Sequence, residues 1–345
     1  MNLKARIERA LAHAVLRLPR ALQRPLAGAP IRLQGRELDL QTQLLLKLMQ
    51  LSGARPWPER PLPQTRRQFE TEAGLLAPTG IALAEVRDLC LEGPAAPIPA
   101  RLYRPKGLPP AAPCLVFYHG GGFTLGSIRS HDLPCRWLAA VTPCVVVSID
   151  YRLGPEHAFP AAVDDALAGF REVRRRAAEL GLDPARIAVG GDSAGGNLAA
   201  VVAQDSRGDE VPPCFQLLIY PATDMTMSSP SIRTFGRGFL LEKTSIEWFR
   251  ANYVARESQR RDPRASPLFG DPAGVAPALV ATAGFDPLCD EGQAYARRMR
   301  EAGVAVEELY SEGLIHGWFN TGGAIRAAAE AGGGLVKALR AALGQ

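Results

Sequence analysis

From about residue 82 onward, short apolar runs alternate with longer stretches of helical spacing. The runs cover 98–103, 114–118, 144–149, 186–190, 215–220, 278–283 and 304–309. Helical spacing covers 161–180, 194–205, 290–302 and 324–343. Runs this short and this continuously apolar, separated by helix-length segments, predict a mostly parallel sheet buried on both faces by helices.

The first eighty residues follow another pattern. Leu3, Ile7, Leu11, Val15, Leu18 and Leu22 recur at steps of three or four, with Lys4, Arg6, Arg9, Arg17 and Arg20 elsewhere, which predicts a basic amphipathic helix over 3–22. Leu38, Leu44, Leu45 and Leu48 predict a second helix, which the proline-rich stretch 56–63 breaks. Residues 1–80 therefore read as N-terminal accessory structure, and 81–345 as the main domain. More than fifty residues separate the runs ending at Tyr220 and starting at Ala278, more than a crossover needs, so an insertion is expected at about 222–262. Within it, Thr244 is a candidate cap for an amphipathic helix carrying Ser245, Ile246, Trp248, Phe249 and Tyr253.

Composition removes several classes. With 47% hydrophobic and 22% charged residues in 345, the chain has too much apolar surface to stay disordered. The net charge of +5 comes from 40 basic and 35 acidic residues spread along the chain, without a nucleic-acid motif, so no nucleic-acid partner is expected. Six cysteines (Cys90, Cys114, Cys135, Cys144, Cys214, Cys289) form no CxxC pair and mostly lie in apolar stretches, which predicts buried thiols in a reducing compartment and no metal site. His13, Arg17 and Arg20 interrupt the first apolar positions, leaving no clean secretory leader, and no stretch approaches a membrane span, so a cytoplasmic protein is expected.

Candidate chemistry begins at Gly191-Asp192-Ser193-Ala194-Gly195, a G-x-S-x-G placed after a predicted strand and before a predicted helix. That context makes Ser193 a candidate nucleophile on a tight turn, with glycines where side chains would collide. Upstream, the run 114–118 ends in His119-Gly120-Gly121-Gly122-Phe123. Acyl transfer passes through an oxyanion, and backbone N–H groups stabilise it. Gly121 and Gly122 are the candidate donors from this loop, with Ala194 as the third. The loop has neither a Walker lysine nor dinucleotide-binding spacing, so it does not read as a phosphate cradle.

The triad order on such a fold is serine, acid, histidine, and of the five histidines only His316 follows Ser193. It is the candidate base, and His119 is left to hydrogen-bond its own loop. The acid should sit at a strand end. Asp286, directly after the run 278–283, is preferred over Asp290, which reads as a helix cap with Gln293 at the capping-box position.

Together these segments resemble the hormone-sensitive-lipase family of esterases. The resemblance rests on His119 to Phe123, Tyr151 to His157 with Phe159-Pro160-Ala161, Gly191 to Asn197, Asp286-Pro287-Leu288 with Asp290-Glu291-Gly292, and His316-Gly317, over roughly residues 80–320. It implies an α/β-hydrolase fold with an eight-stranded sheet and a helical cap built from the N-terminal helices and the insertion. It also implies hydrolysis of short- to medium-chain acyl esters through an acyl-enzyme, without a cofactor or metal, by the triad Ser193, Asp286 and His316. Relatives often pair as homodimers. Trp318 stands where the family often has phenylalanine and could reshape the pocket, while Gly154 and Cys289 replace the usual alanine and arginine.

Glu156, His157, Asp164 and Asp165 read as structural, and Trp248, Phe249 and Tyr253 as packing. An amidase or peptidase on the same fold would use the same triad but would prefer anilides, and a ligand receptor resembling this family would lack His316. The stripe on 3–22 has two readings: docking onto the cap or a second subunit, or peripheral contact with a membrane.

Overall fold

The computed structural model describes residues 3–53 and 55–344, with side chains from Glu8 onward. Eight strands form one sheet: β1 (Glu85–Leu91), β2 (Ile98–Arg104), β3 (Ala112–Tyr118), β4 (Val145–Ile149), β5 (Leu182–Asp192), β6 (Gln216–Ile219), β7 (Ala278–Phe285) and β8 (Val306–Ile315). Their spatial order is β8-β7-β6-β5-β3-β4-β2-β1. β2 runs antiparallel to both its neighbours, and all other pairings are parallel.

Alternation along each strand divides the core into two layers, because successive side chains leave a strand on opposite faces. Cys114, Val116 and Tyr118 of β3 enter one layer, and Leu115 and Phe117 the other. Helices α6 (Ala161–Arg175), α7 (Ala194–Asp205) and α10 (Cys289–Glu301) cover the first layer through Val163, Phe170, Leu198, Val202, Tyr295 and Met299. Helices α5 (Asp132–Val141) and α11 (Arg326–Ala342) cover the second through Leu138, Leu335 and Leu339. With both faces covered, the parallel strands have no polar face to show, which is why they read as unbroken apolar runs.

The N-terminal segment holds α1 (Leu3–Leu16), α2 (Arg20–Ala27), a two-stranded hairpin at 32–37, α3 (Leu40–Leu51) and α4 (Leu62–Ala73). The insertion holds α8 (Pro230–Phe235) and α9 (Lys243–Tyr253). Leu16, Leu44 and Leu45 join the α11 side of the core, while Ile31, Leu38 and Leu46 meet Phe235 and Phe239. Trp57, Leu62 and Phe69 meet Ile232, Leu241 and Phe249.

Four expectations need correction. The helix predicted over 3–22 is two helices, because Leu18 precedes Pro19 and the residue before a proline is disfavoured in helical geometry. Its apolar stripe docks only in part: Val15 packs on the core beside the buried Leu16, whereas Leu11 is 62% exposed and Leu22 54%. Leu3, Ile7, Lys4 and Arg6 lie outside the described side chains. The helix predicted to reach 180 ends at Arg175, and the chain then turns back through Gly181, whose φ of 62° suits glycine. Finally, β1 and α5 are additional elements.

Candidate active site

β5 ends at Asp192 and α7 starts at Ala194, so the whole change of direction falls on Ser193, held at φ 57° and ψ −115°. That conformation is strained for a residue with a Cβ and persists only where its surroundings fix it. Here Ser193 N–H donates to Ile219 O at 2.8 Å, and Ser193 O accepts from Asn197 and Ala222. A Cβ at Gly195 would stand 1.8 Å from Tyr118 O, and one at Gly191 would stand 2.3 Å from the same oxygen. Both glycines are therefore required by the close passage of β3 beneath the turn.

His316 follows β8 directly, and the left-handed Gly317 (φ 80°) turns the chain away behind it. Its Nδ1 donates to Asp286 Oδ2 at 2.8 Å, and its Nε2 lies 2.9 Å from Ser193 Oγ. Because Nδ1 carries the proton shared with the carboxylate, Nε2 presents a lone pair to the serine hydroxyl. Asp286 is fully buried at the end of β7, where its Oδ1 accepts from Leu288 N–H at 2.8 Å. Tyr220 packs against the imidazole at 4.6 Å between ring centroids, and Trp318 meets Tyr220 edge-on at 5.8 Å. Trp318 is thus buried in the core behind the histidine, where it buttresses the site.

Asp290 points elsewhere. Its Oδ2 accepts from Ser231 N–H at 2.8 Å, tying α10 to the start of α8, so it links the insertion to the sheet domain instead of capping its own helix.

The loop 119–123 turns through Gly121 (φ 125°), Gly122 and Phe123 (both φ 59°). Its fold is closed by Thr124 and Leu125 N–H groups donating to Gly121 O. Among the described residues, the N–H groups of Gly121 and Gly122 donate to no protein acceptor, and the Ala194 N–H, opening α7, has no partner within its helix. Three donors are therefore left without a protein acceptor among the described residues, as groups meant for a developing oxyanion would be. His119 donates from Nδ1 to Gly120 O at 2.9 Å and stacks on Tyr151 at 4.3 Å. Burial and the neighbouring His131 hold its pKa down, to about 3, so it stays neutral.

Two contributors escaped the sequence reading. Asp192, nine-tenths buried or more, accepts from Gly120 N–H at 2.8 Å and lies 3.1 Å from His131 Nε2. Burial pushes its carboxyl up, but His131 and the Gly120 N–H outweigh this and hold it below the ordinary carboxylate range. It thereby fastens the glycine loop to the turn carrying Ser193. A carboxylate in an otherwise apolar turn was the available signal, since a buried charge must be paired. Arg66 of α4 donates to Thr124 O, Gly154 O and Glu156, bracing the same loop from outside. Glu156 is structural, as expected, and so is Asp165, which receives three hydrogen bonds from Arg152.

Replacing Asp192 with Asn should keep the shape but weaken the hold on the loop. We expect kcat to fall roughly 10- to 100-fold, less than the loss of an oxyanion donor outright, with KM little changed. Steady-state kinetics on a soluble aryl ester checks this. An unchanged kcat in a variant of normal melting temperature would show that the contact does not position the loop.

Phe249 closes the site from above: a Cβ on Gly122 would stand 2.2 Å from its ring, and Trp57 packs on Phe249 at 5.7 Å. Phe249 therefore touches the glycine loop, beyond the packing role read from sequence, whereas Tyr253 is a core residue stacked on Phe123 at 3.8 Å. Two surface clefts of about 460 and 370 Å³ lie elsewhere. Glu92, Asp164, Arg171 and Arg175 line one, and Asp88, Arg101 and Arg129 the other, so neither suits an acyl chain.

Known proteins share this fold. A family model described as alpha/beta hydrolase fold matches residues 115–320. The carboxylic ester hydrolase LipN of Mycobacterium tuberculosis is 44% identical over 332 residues, covering 92% of this chain and 86% of the relative. The ethyl acetate hydrolase of Pseudomonas putida is 41% identical, covering 81% of this chain and 88% of its own. An ester hydrolase from the Lake Arreo metagenome, solved with a bipyridine phosphonate derivative, superposes with a TM-score of 0.85 at 42% identity, over 89% of this chain and all of that one. With a strained serine turn, the eight-stranded sheet and relatives of this closeness, the chain belongs to the α/β-hydrolase family, among its carboxylic ester hydrolases.

Proposed function

We propose that the chain is an esterase of the hormone-sensitive-lipase type, acting on short- to medium-chain acyl esters through an acyl-enzyme. The observation that carries this reading is the Ser193 hydroxyl 2.9 Å from His316 Nε2, on an imidazole held by Asp286. Ser193 Oγ attacks the ester carbonyl as His316 takes its proton, and the Gly121, Gly122 and Ala194 N–H groups receive the oxyanion. The same histidine returns the proton to the leaving alcohol. It then draws a proton from water, whose oxygen attacks the acyl-enzyme, and returns that proton to Ser193 Oγ as the bond to the acyl carbon breaks and the acid leaves. The N-terminal segment and the insertion act as a cap in this scheme, with Trp57 and Phe249 meeting over the glycine loop. The thiols are all free, four of them buried, which suits a reducing cytoplasm.

Phe249 is the proposed limit on the acyl chain. Across a series of aryl esters from two to twelve carbons, the wild type should prefer the short end, and Phe249→Ala should move the optimum towards longer chains by roughly two to four carbons, the room a phenyl ring leaves. If both proteins show the same optimum, the ring does not bound the chain. The same assay on matched anilides addresses the amidase alternative: anilide turnover equal to ester turnover would favour it.

A further inference from the structure

We propose that the outer side of α1 and α2 is a docking face for an anionic lipid surface. Both helices leave leucines of their sequence pattern on the outer side. α1 is held to the protein by its polar edge: Arg9 donates to Gly74 O and Ala77 O at 2.7 Å, His13 Nε2 to Leu75 O at 3.1 Å, and Arg17 to Gly323 O at 2.9 Å. On its outer side Leu11 is 62% exposed and Leu18 half-buried, while Val15 and Leu16 pack on the core. α2 goes further and is inverted. Gln23 is buried and donates to Leu16 O, whereas Leu22 and Leu26 on the other side are 54% and 50% exposed.

The exposure is concentrated. Eight large apolar side chains are exposed among the described residues, and six of them (Leu11, Leu22, Leu26, Leu33, Met49, Leu51) fall within residues 11–51. α1 and α2 both pack on α3, which carries Met49 and Leu51. Clustered apolar exposure of this kind marks a surface that meets something other than water.

Charge selects the occupant. Residues 9–51 hold seven Arg or Lys against two Asp or Glu, an excess equal to the net +5 of the whole chain, and 9–36 contain no acid at all. Arg20 and Arg24 flank Leu22 and Leu26 and are exposed, and their guanidinium groups make no ion pair or hydrogen bond among the described residues. Leucines that enter the acyl layer, beside arginines that meet headgroup anions, are the two elements of interfacial binding. A second copy docked through the same face would instead bring unpaired arginines against each other, since a two-fold interface apposes identical patches.

The test is co-sedimentation of the full chain at low salt with vesicles of about equal parts phosphatidylglycerol and phosphatidylcholine, and with phosphatidylcholine alone. The chain should sediment with the anionic vesicles and much less with the neutral ones. The triple variant Leu11→Glu, Leu22→Glu, Leu26→Glu should bind the anionic vesicles at least tenfold more weakly, and Arg20→Gln with Arg24→Gln roughly tenfold more weakly. All five positions are exposed, so both variants should keep the wild-type melting temperature and turnover on a soluble short-chain ester. Failure of the wild type to sediment at low salt, or equal binding by the triple variant, overturns the proposal. So does a concentration-dependent dimer that the triple variant abolishes while vesicles bind neither protein. The readout is lipid binding, so it stands or falls separately from the esterase chemistry.

Discussion

Ser193→Ala is expected to lower kcat on a soluble ester by roughly 10⁴- to 10⁶-fold, with no change in melting temperature. Removing the hydroxyl removes the group that forms the covalent intermediate, while the free N–H groups of Gly121, Gly122 and Ala194 still polarise a bound carbonyl. Some residual turnover above the uncatalysed rate should therefore survive. His316→Ala should cost about as much, and the double variant little more than either single one, because a nucleophile and its base act as one unit. If the losses instead multiplied, the two residues would be working independently and the 2.9 Å contact between them would not be the catalytic one. Single-turnover kinetics with an aryl ester supplies the second check: a burst of one equivalent of alcohol in the wild type, and none in Ser193→Ala.

Local chemistry carried most of the site into the sequence. A serine turn needs glycines wherever the chain passes within a Cβ of its neighbour, and those glycines are visible at Gly191 and Gly195. His316 was legible because it alone among the histidines follows the serine. The central strands were legible because burial on both faces removes polar residues from them. What the sequence hid is what packing decides. β1 is an edge strand in which only Leu89 and Leu91 are buried, so Glu85, Arg87 and Asp88 mask it. α5 carries Pro134 in its first turn, which a helix tolerates there but which reads as a break along the chain. The Asp192 to His131 contact joins residues sixty-one positions apart, and no local pattern announces it. α1 shows the limit most plainly, since its periodicity is real but says nothing about which side faces the protein.

The second large effect falls on the acid. Asp286→Asn should reduce kcat by roughly 10⁴-fold, because an amide nitrogen in place of Oδ2 would force the imidazole into the tautomer that presents a proton, not a lone pair, to the serine. KM should change little, since the carboxylate is buried beneath the histidine and is held by the Leu288 N–H, away from substrate. Asp290→Asn is the matched control, four residues further along the chain. Its carboxylate accepts from Ser231 N–H across to α8, so its loss should lower the melting temperature by a few degrees, in line with about 1 kcal/mol for one hydrogen bond, and leave kcat within about twofold. The pair of variants separates the two aspartates of Asp286-Pro287-Leu288-Cys289-Asp290, of which the sequence already favours Asp286 as the acid. Should Asp290→Asn abolish turnover while Asp286→Asn kept it, the acid would have to be reassigned, and the 2.8 Å contact between His316 Nδ1 and Asp286 Oδ2 would be structural only.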